Sequence, residues 1–240
     1  WAPFAQPSTS QPPERRDAVV AVKGRTLELW LGRATDGTLR QDAWKANLIS
    51  RLWQPALAPA FGPPPRRLAA ASVNHSQGVW FIYGGVSLTG EGLVPRRDGV
   101  RGDLLTGRFD ALDVPPGPVS INAATALDPF DNVLYGIGGM GSDIAWADGI
   151  DLNTASVIDQ FYALDLTAGS WDIRGLSDMP GAPDPVLAAS LVAVADGVAD
   201  PILVLYGGSI DGTPQSTLYH YDVRAGSFTH ITPVGTPAAR

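Results

Sequence analysis

The side chains with chemistry to offer are few. The chain holds three histidines, His75, His220 and His230, and no cysteine. The lack of cysteine removes thiolate nucleophiles, thiolate metal sites and disulfides together. No Ser/His/Asp constellation and no metal-ligand spacing accompanies the histidines, and His220, between Tyr219 and Tyr221, reads as a packing residue. Asp143, Asp148 and Asp151 offer oxygen ligands of the kind calcium prefers. Their spacing matches no calcium loop, so a solvated Asp/Gly-rich turn is expected, with no catalytic residue, metal or cofactor. Recognition chemistry remains. The segment VSLTGEGLVPRRDGVRGDLLT (86–106) carries Arg96, Arg97 and Arg101, and MGSDIAWADGIDLNTASVI (140–158) carries Asp143, Trp146 and Asp148. Arginine and tryptophan anchor binding surfaces. Two outcomes are open for these segments: a recognition surface, or pairing of one with the other, acid against base. Arg101-Gly102-Asp103 spells an adhesion-type tripeptide in the first of them, a sequence short enough to recur by chance.

The bulk composition narrows the partners. The chain has 240 residues, 45% hydrophobic and 17% charged, with 27 Gly and 21 Pro. That is enough chain to bury a core, and its turn-rich make-up favours many short strands over helices. A net charge of −7 argues against a nucleic-acid binder, which needs a basic face. No run of 18 apolar residues is present, so no helical membrane span is expected. A start at Trp1 instead of methionine, the Pro/Ser-rich lead WAPFAQPSTSQPP and the sequon Asn74-His75-Ser76 suggest a processed, secreted or cell-surface protein with Asn74 as a glycosylation candidate. A cytoplasmic placement is the alternative.

The elements that position these segments come from an internal repeat. ILVLYGG (202–208), VLYGIGG (133–139) and VWFIYGG (79–85) match one another. LELWLGR (27–33) is a weaker copy, with Arg33 aligned to the second glycine. The second half of each unit repeats as well. FYALDLTAGSW (161–171) aligns with LYHYDVRAGSF (218–228), and FDALDVPPGPV (109–119) and AWKANLISRLW (43–53) fit the same frame. An acid column then reads Asn47, Asp113, Asp165, Asp222. An aromatic column six residues on reads Trp53, Val119, Trp171, Phe228, and Gly117, Gly169 and Gly226 stand four residues after the acid, with Arg51 as the exception. Each unit predicts four short strands: a small-residue strand, a glycine-ended strand, an acid-ended strand and an aromatic-bearing strand. The aspartate is expected to accept backbone N–H groups in its turn.

The glycine pairs Gly84-Gly85, Gly138-Gly139 and Gly207-Gly208, followed by a turn acid and a spaced aromatic (Asp113; Asp165 with Trp171; Asp222 with Phe228), resemble the kelch repeat over nearly the whole chain. The resemblance implies an all-β fold, a kelch-type β-propeller of four-stranded antiparallel blades. The blades would span about 14–64, 65–119, 120–184 and 185–236, with 237–240 opening a further blade and 1–13 a lead or ring-closing strand. Four units make an incomplete ring, so a protein partner or further blades of the same protein are expected to complete it. The resemblance implies a non-catalytic binding or assembly module, with segments 86–106 and 140–158 adjacent on one face. The alternatives are an intracellular adaptor, or the propeller part of an enzyme whose active site is completed elsewhere. The copper radical chemistry of galactose-oxidase-like relatives needs a cysteine that this chain does not have.

Overall fold

Alternating apolar residues broken by Gly, Asn and Asp at regular intervals leave the chain little choice but short antiparallel strands. The computed structural model describes residues 11–56, 64–74, 77–90, 92–103, 106, 108–128, 130–141, 156–194, 200–232 and 235. It is all-β, apart from a short 3-10 turn at Leu176–Asp178. No helix among the described residues is long and apolar enough to cross a membrane.

The chain forms two compact units, the first running to Leu112 and the second beginning at Asp113. The first holds two four-stranded antiparallel sheets. Sheet I is β1 (Val19–Lys23), β2 (Thr26–Trp30), β3 (Ala43–Asn47) and β4 (Trp53–Pro55), in that order. Sheet II begins with β5 (Ala70–Asn74) and β6 (Val79–Tyr83). A hairpin of β7 (Val86–Thr89) and β8 (Gly92–Pro95) interrupts it, and β9 (Gly99–Asp103) and β10 (Phe109–Ala111) complete it in the order β5-β6-β9-β10. The second unit repeats the plan. Sheet III is β11 (Ala124–Asp128), β12 (Val133–Ile137), then, after the β13 (Met140–Gly141) and β14 (Ser156–Val157) hairpin, β15 (Phe161–Asp165) and β16 (Ser170–Arg174). Sheet IV is β17 (Ser190–Val194), β18 (Ile202–Tyr206), the β19 (Ser209–Ile210) and β20 (Thr213–Pro214) hairpin, β21 (Leu218–Asp222) and β22 (Ser227–Ile231).

Each unit has its own core. In the first, Trp30 of sheet I meets Trp80 and Phe109 of sheet II with ring centroids 5.1 and 4.6 Å apart, around Val19, Ala21, Ile82 and Val100. In the second, Phe161 packs on Tyr221 at 4.8 Å and on Phe228 at 6.5 Å, with Leu191, Leu203 and Leu205 around them. Aromatic pairs at such distances add about 0.5–1.5 kcal/mol beyond the area they bury.

The repeat frame is visible in the backbone, with two corrections to the sequence alignment. In sheet I the residues equivalent to the glycine pair are Leu31 (φ 60°) and Gly32 (φ 93°), not Gly32 and Arg33. Arg33 instead matches Val86, Met140 and Ser209, each bridged to the opening of its own repeat. In sheet II the acid is Asp103, not Asp113. Asp103 ends the third strand and accepts the Thr106 N–H at 2.9 Å, as Asp165 accepts those of Thr167 and Ala168 at 2.8 Å and Asp222 that of Ala225 at 2.8 Å. Phe109, six residues after Asp103, is then the aromatic of this repeat, and it is buried at 4% exposure. Val119 and Gly117 hold no such place, and Asp113 is exposed after β10. The sequence alignment slipped by ten residues because FDALD mimics the FYALD of β15. The corrected register has a measurable consequence: Asp103→Ala costs about 1 kcal/mol through its turn hydrogen bonds. Asp113→Ala stays within about 0.5 kcal/mol. Chemical denaturation of the two variants distinguishes them. Asn47 plays the same part in sheet I, accepting the Ile49 and Ser50 N–H groups at 2.9 Å, and Arg51 takes the left-handed φ of 58° that glycine takes elsewhere.

Candidate functional site

One of the residues expected to anchor recognition, Arg96, is held by the fold. Segment 86–106 is not one long loop: its first part is the β7–β8 hairpin, and its last part is β9 inside sheet II. Arg96 follows the hairpin and forms a two-point pair with Asp98, Nε to Oδ1 at 2.8 Å and Nη2 to Oδ2 at 3.1 Å. This contact raises the Arg96 pKa, against the pull of burial. Arg97 is exposed. Arg101 is exposed on β9, opposite Phe81 on one side and Asp110 on the other. The Arg101-Gly102-Asp103 tripeptide is therefore strand, not a displayed loop. Gly102 is buried beneath Trp80, and Asp103 closes a turn. Asp143, Trp146, Asp148 and Asp151 lie outside the described residues.

Asn74 also changes role. It is wholly buried at the end of β5, and its Oδ1 accepts the Gln77 N–H at 3.1 Å. A glycan on its Nδ2 does not fit this fold, so the sequon marks a turn residue. Asp128 does the same at the end of β11, accepting the Phe130 N–H at 2.9 Å.

Behind Arg96 lies a structure that the sequence pattern only half revealed. Arg66 has no exposed surface. Its Nη2 reaches Asp98 Oδ2 at 2.9 Å, and its Nη1 donates to the Gly84 carbonyl at 3.1 Å and the Asp98 carbonyl at 3.3 Å. One guanidinium thus ties the opening of the repeat, the glycine pair and the start of the third strand together. Sheet I has the same lock. Arg15 donates to the Leu31 carbonyl at 3.2 Å and forks onto Asp42 at 2.9 and 2.6 Å, and the Trp44 indole N–H shares that carboxylate at 2.6 Å. Burial disfavours the charged form of Asp98, but its two arginines outweigh burial and hold its carboxyl below the usual range. Asp42 is lowered in the same way, against burial, by Arg15 and Trp44. Burial pulls the Arg66 pKa down, with Asp98 opposing. The sequence signal was an arginine two residues after a proline (Pro13, Pro64) paired with an aspartate just before the third strand. Ser120 with Gln160 and Val186 with Thr217 take these places in the second unit, so the lock is confined to the first.

A second arginine follows each lock. The backbones of Arg16 and Arg33 exchange hydrogen bonds at 3.0 and 2.9 Å, and the Gly32 N–H donates to the Arg66 carbonyl at 3.1 Å, which brings Arg67 beside them. Arg67 is buried, and among the described residues its one ion pair is a long 3.4 Å contact with Asp17. Burial and then the charge of Arg33 lower its pKa.

Elsewhere the chemistry is structural. The hydroxyls of Ser120 and Tyr162 share a hydrogen bond of 2.9 Å, and burial pushes the Tyr162 phenol up to about 12. Among the described residues no three His, Asp or Glu side chains gather into a group able to hold a metal ion. No known protein-family model matches the chain, and no curated protein shows significant similarity to it.

Proposed function

We propose that the chain is a non-catalytic binding and assembly module, a run of kelch-type propeller blades whose first and last sheets in the sequence dock further sheets of the same kind. The observation that carries the proposal is a contrast in burial along the strands. In sheets II and III every residue of β6 is buried, as are four of the five in β12. In sheets I and IV burial alternates along β1 and β17, as in strands covered on one face alone. Val20 and Val22 of β1 are exposed at 52% and 39%, and their cross-strand neighbours are Leu29 with Trp44 and Leu27 with Ala46. Val192 and Val194 of β17 and Ile202 of β18 are exposed at 57%, 58% and 42%. A soluble sheet with one wet face places polar residues there. Apolar faces of this kind mark interaction surfaces.

The partner is a flat, apolar, β-rich surface, in the same protein or in another chain. Recognition of a further ligand falls to the hairpins that follow the glycine pairs and to the exposed Arg97 and Arg101. A secreted or cell-surface setting, supported by the Pro/Ser-rich composition of residues 1–13, belongs to the same proposal. Light scattering over a range of protein concentrations tests it. The chain should associate, and Val20→Glu with Val194→Lys should return it to a monomer without lowering its melting temperature. A chain that stays monomeric throughout, or an assembly untouched by both substitutions, overturns the proposal.

A further inference from the structure

The arginine cluster at the openings of sheets I and II carries more positive charge than the fold uses. Arg16, Arg33 and Arg67 sit on adjoining backbone positions, joined by the Arg16–Arg33 bridge and the Gly32-to-Arg66 hydrogen bond. The acid that pairs with the buried member is Asp17, at 3.4 Å, longer than an ordinary charged hydrogen bond. Among the described residues, four buried side-chain polar atoms have no hydrogen-bond partner: Nε of Arg40, Nε of Arg67, Oγ of Ser87 and Oδ1 of Asn132. One of these, the Arg67 Nε, is in the cluster, and the backbone N–H of Arg40 donates to the Gly32 carbonyl next to it at 2.8 Å. A buried donor without an acceptor costs about 1–3 kcal/mol. Mutually repelling guanidinium groups add to that cost, and an acceptor carrying negative charge relieves both at once.

From the geometry we infer that Arg16, Arg33 and Arg67 form a binding site for a dianionic oxyanion, a phosphate or sulfate group. Among the described residues these three guanidinium groups are matched by one carboxylate, that of Asp17, an excess of two positive charges that suits a dianion. Planar guanidinium forks favour tetrahedral oxyanions with several acceptor oxygens. Arg16 is exposed and Arg33 half-buried, so the site opens to solvent on one side, while Arg67 forms its floor. The group bound can be a free anion or the terminal ester of a larger ligand.

The test is calorimetric titration of the full chain with inorganic phosphate at constant ionic strength, with chloride as the balancing salt. Saturable binding is expected, with a dissociation constant at least tenfold weaker in Arg33→Gln and in Arg16→Gln and unchanged in Arg108→Gln, which removes an exposed arginine remote in sequence from the site. Arg16 is exposed, so its variant keeps the test valid should Arg33→Gln fail to fold. The Arg67 Nε–Hε resonance should move with the same saturation. Methyl phosphate binding as tightly as inorganic phosphate would identify an ester-linked source, and preference for inorganic phosphate a free anion. Non-saturable binding, or equal affinity in wild type and both site variants, overturns the inference.

Discussion

Replacing Asp98 by alanine is expected to destabilise the chain by about 3–5 kcal/mol, the cost of leaving a buried cation without its counter-ion. Arg66 has no exposed surface, and its strongest partner is the Asp98 carboxylate at 2.9 Å. The reverse deletion should cost less. Asp98 keeps 42% of its side-chain surface in water and retains Arg96, so Arg66→Met loses mainly the hydrogen bonds to the Gly84 and Asp98 carbonyls, about 1–2 kcal/mol. Asp110→Asn is the control. Its pair with Arg108 is 75% and 62% exposed, and such pairs contribute at most about 1 kcal/mol. Urea unfolding of the three variants ranks them, and equal costs for Asp98→Ala and Asp110→Asn would refute the lock. The pH dependence has a definite sign. The folded Asp98 carboxyl lies below its ordinary value of 3.8, so its contribution is complete above that value and is lost as pH falls through the folded pKa. The stability gap between wild type and Asp98→Asn should therefore be constant near neutrality and close in strong acid.

How much of this was legible without coordinates follows from what each feature needs. Sheets III and IV could be read from local pattern, because their glycine pairs, Asp165 and Asp222, and Trp171 and Phe228 are all present and spaced alike. Their turns form within the turn sequence itself, as the Asp165 contacts with Thr167 and Ala168 illustrate. Sheet II misled because its third strand lacks the apolar pattern of β15 and β21. The strand Gly99–Asp103 carries two glycines and an arginine and so looked like loop. What makes it a strand is tertiary. Gly102 has room only for hydrogen beneath the Trp80 ring, where an added Cβ would lie 2.0 Å from the indole nitrogen. Sheet I hid its glycine pair because Leu31 accepts a left-handed φ of 60° within the core of the first unit.

The site residues were less legible for a related reason. Arg15 and Asp42 are 27 residues apart, Arg66 and Asp98 are 32 apart, and Arg67 and Asp17 are 50 apart. Charge pairing across such gaps leaves no period in a sequence. Arg15-Arg16 and Arg66-Arg67 recur at the two openings, yet nothing local says that the first of each pair locks to an acid while the second meets other arginines. Asn74 shows the opposite failure. A sequon is a local motif, but whether its asparagine is reachable depends on burial, and here the side chain is spent on the Gln77 N–H.

Gly85→Ala is expected to cost about 2–5 kcal/mol, from about 1–2 for the left-handed backbone and about 1–3 for overpacking. The reason lies in how each repeat closes. The second residue of every glycine pair passes over the carbonyl that opens its own repeat: an added Cβ would lie 2.7 Å from the Arg16 oxygen at Gly32, 2.6 Å from Arg67 at Gly85, 2.9 Å from Ile121 at Gly139 and 2.7 Å from Leu187 at Gly208. Those four carbonyls accept the N–H of the next residue, Arg33, Val86, Met140 or Ser209, at 2.8–3.0 Å. The glycine is what lets the two chains come close enough for that hydrogen bond. At Gly85 the obstacles are backbone atoms of Arg67 and Ala69, which no rotamer change can clear. Gly24 separates the two contributions. Its φ is +56° and an added Cβ would meet nothing within 4 Å, so Gly24→Ala should cost only the backbone share, about 1–2 kcal/mol. Denaturation of both variants measures the difference. If they lose the same stability, the glycine pairs serve backbone conformation alone, and the close approach of the strands has no part in fixing them.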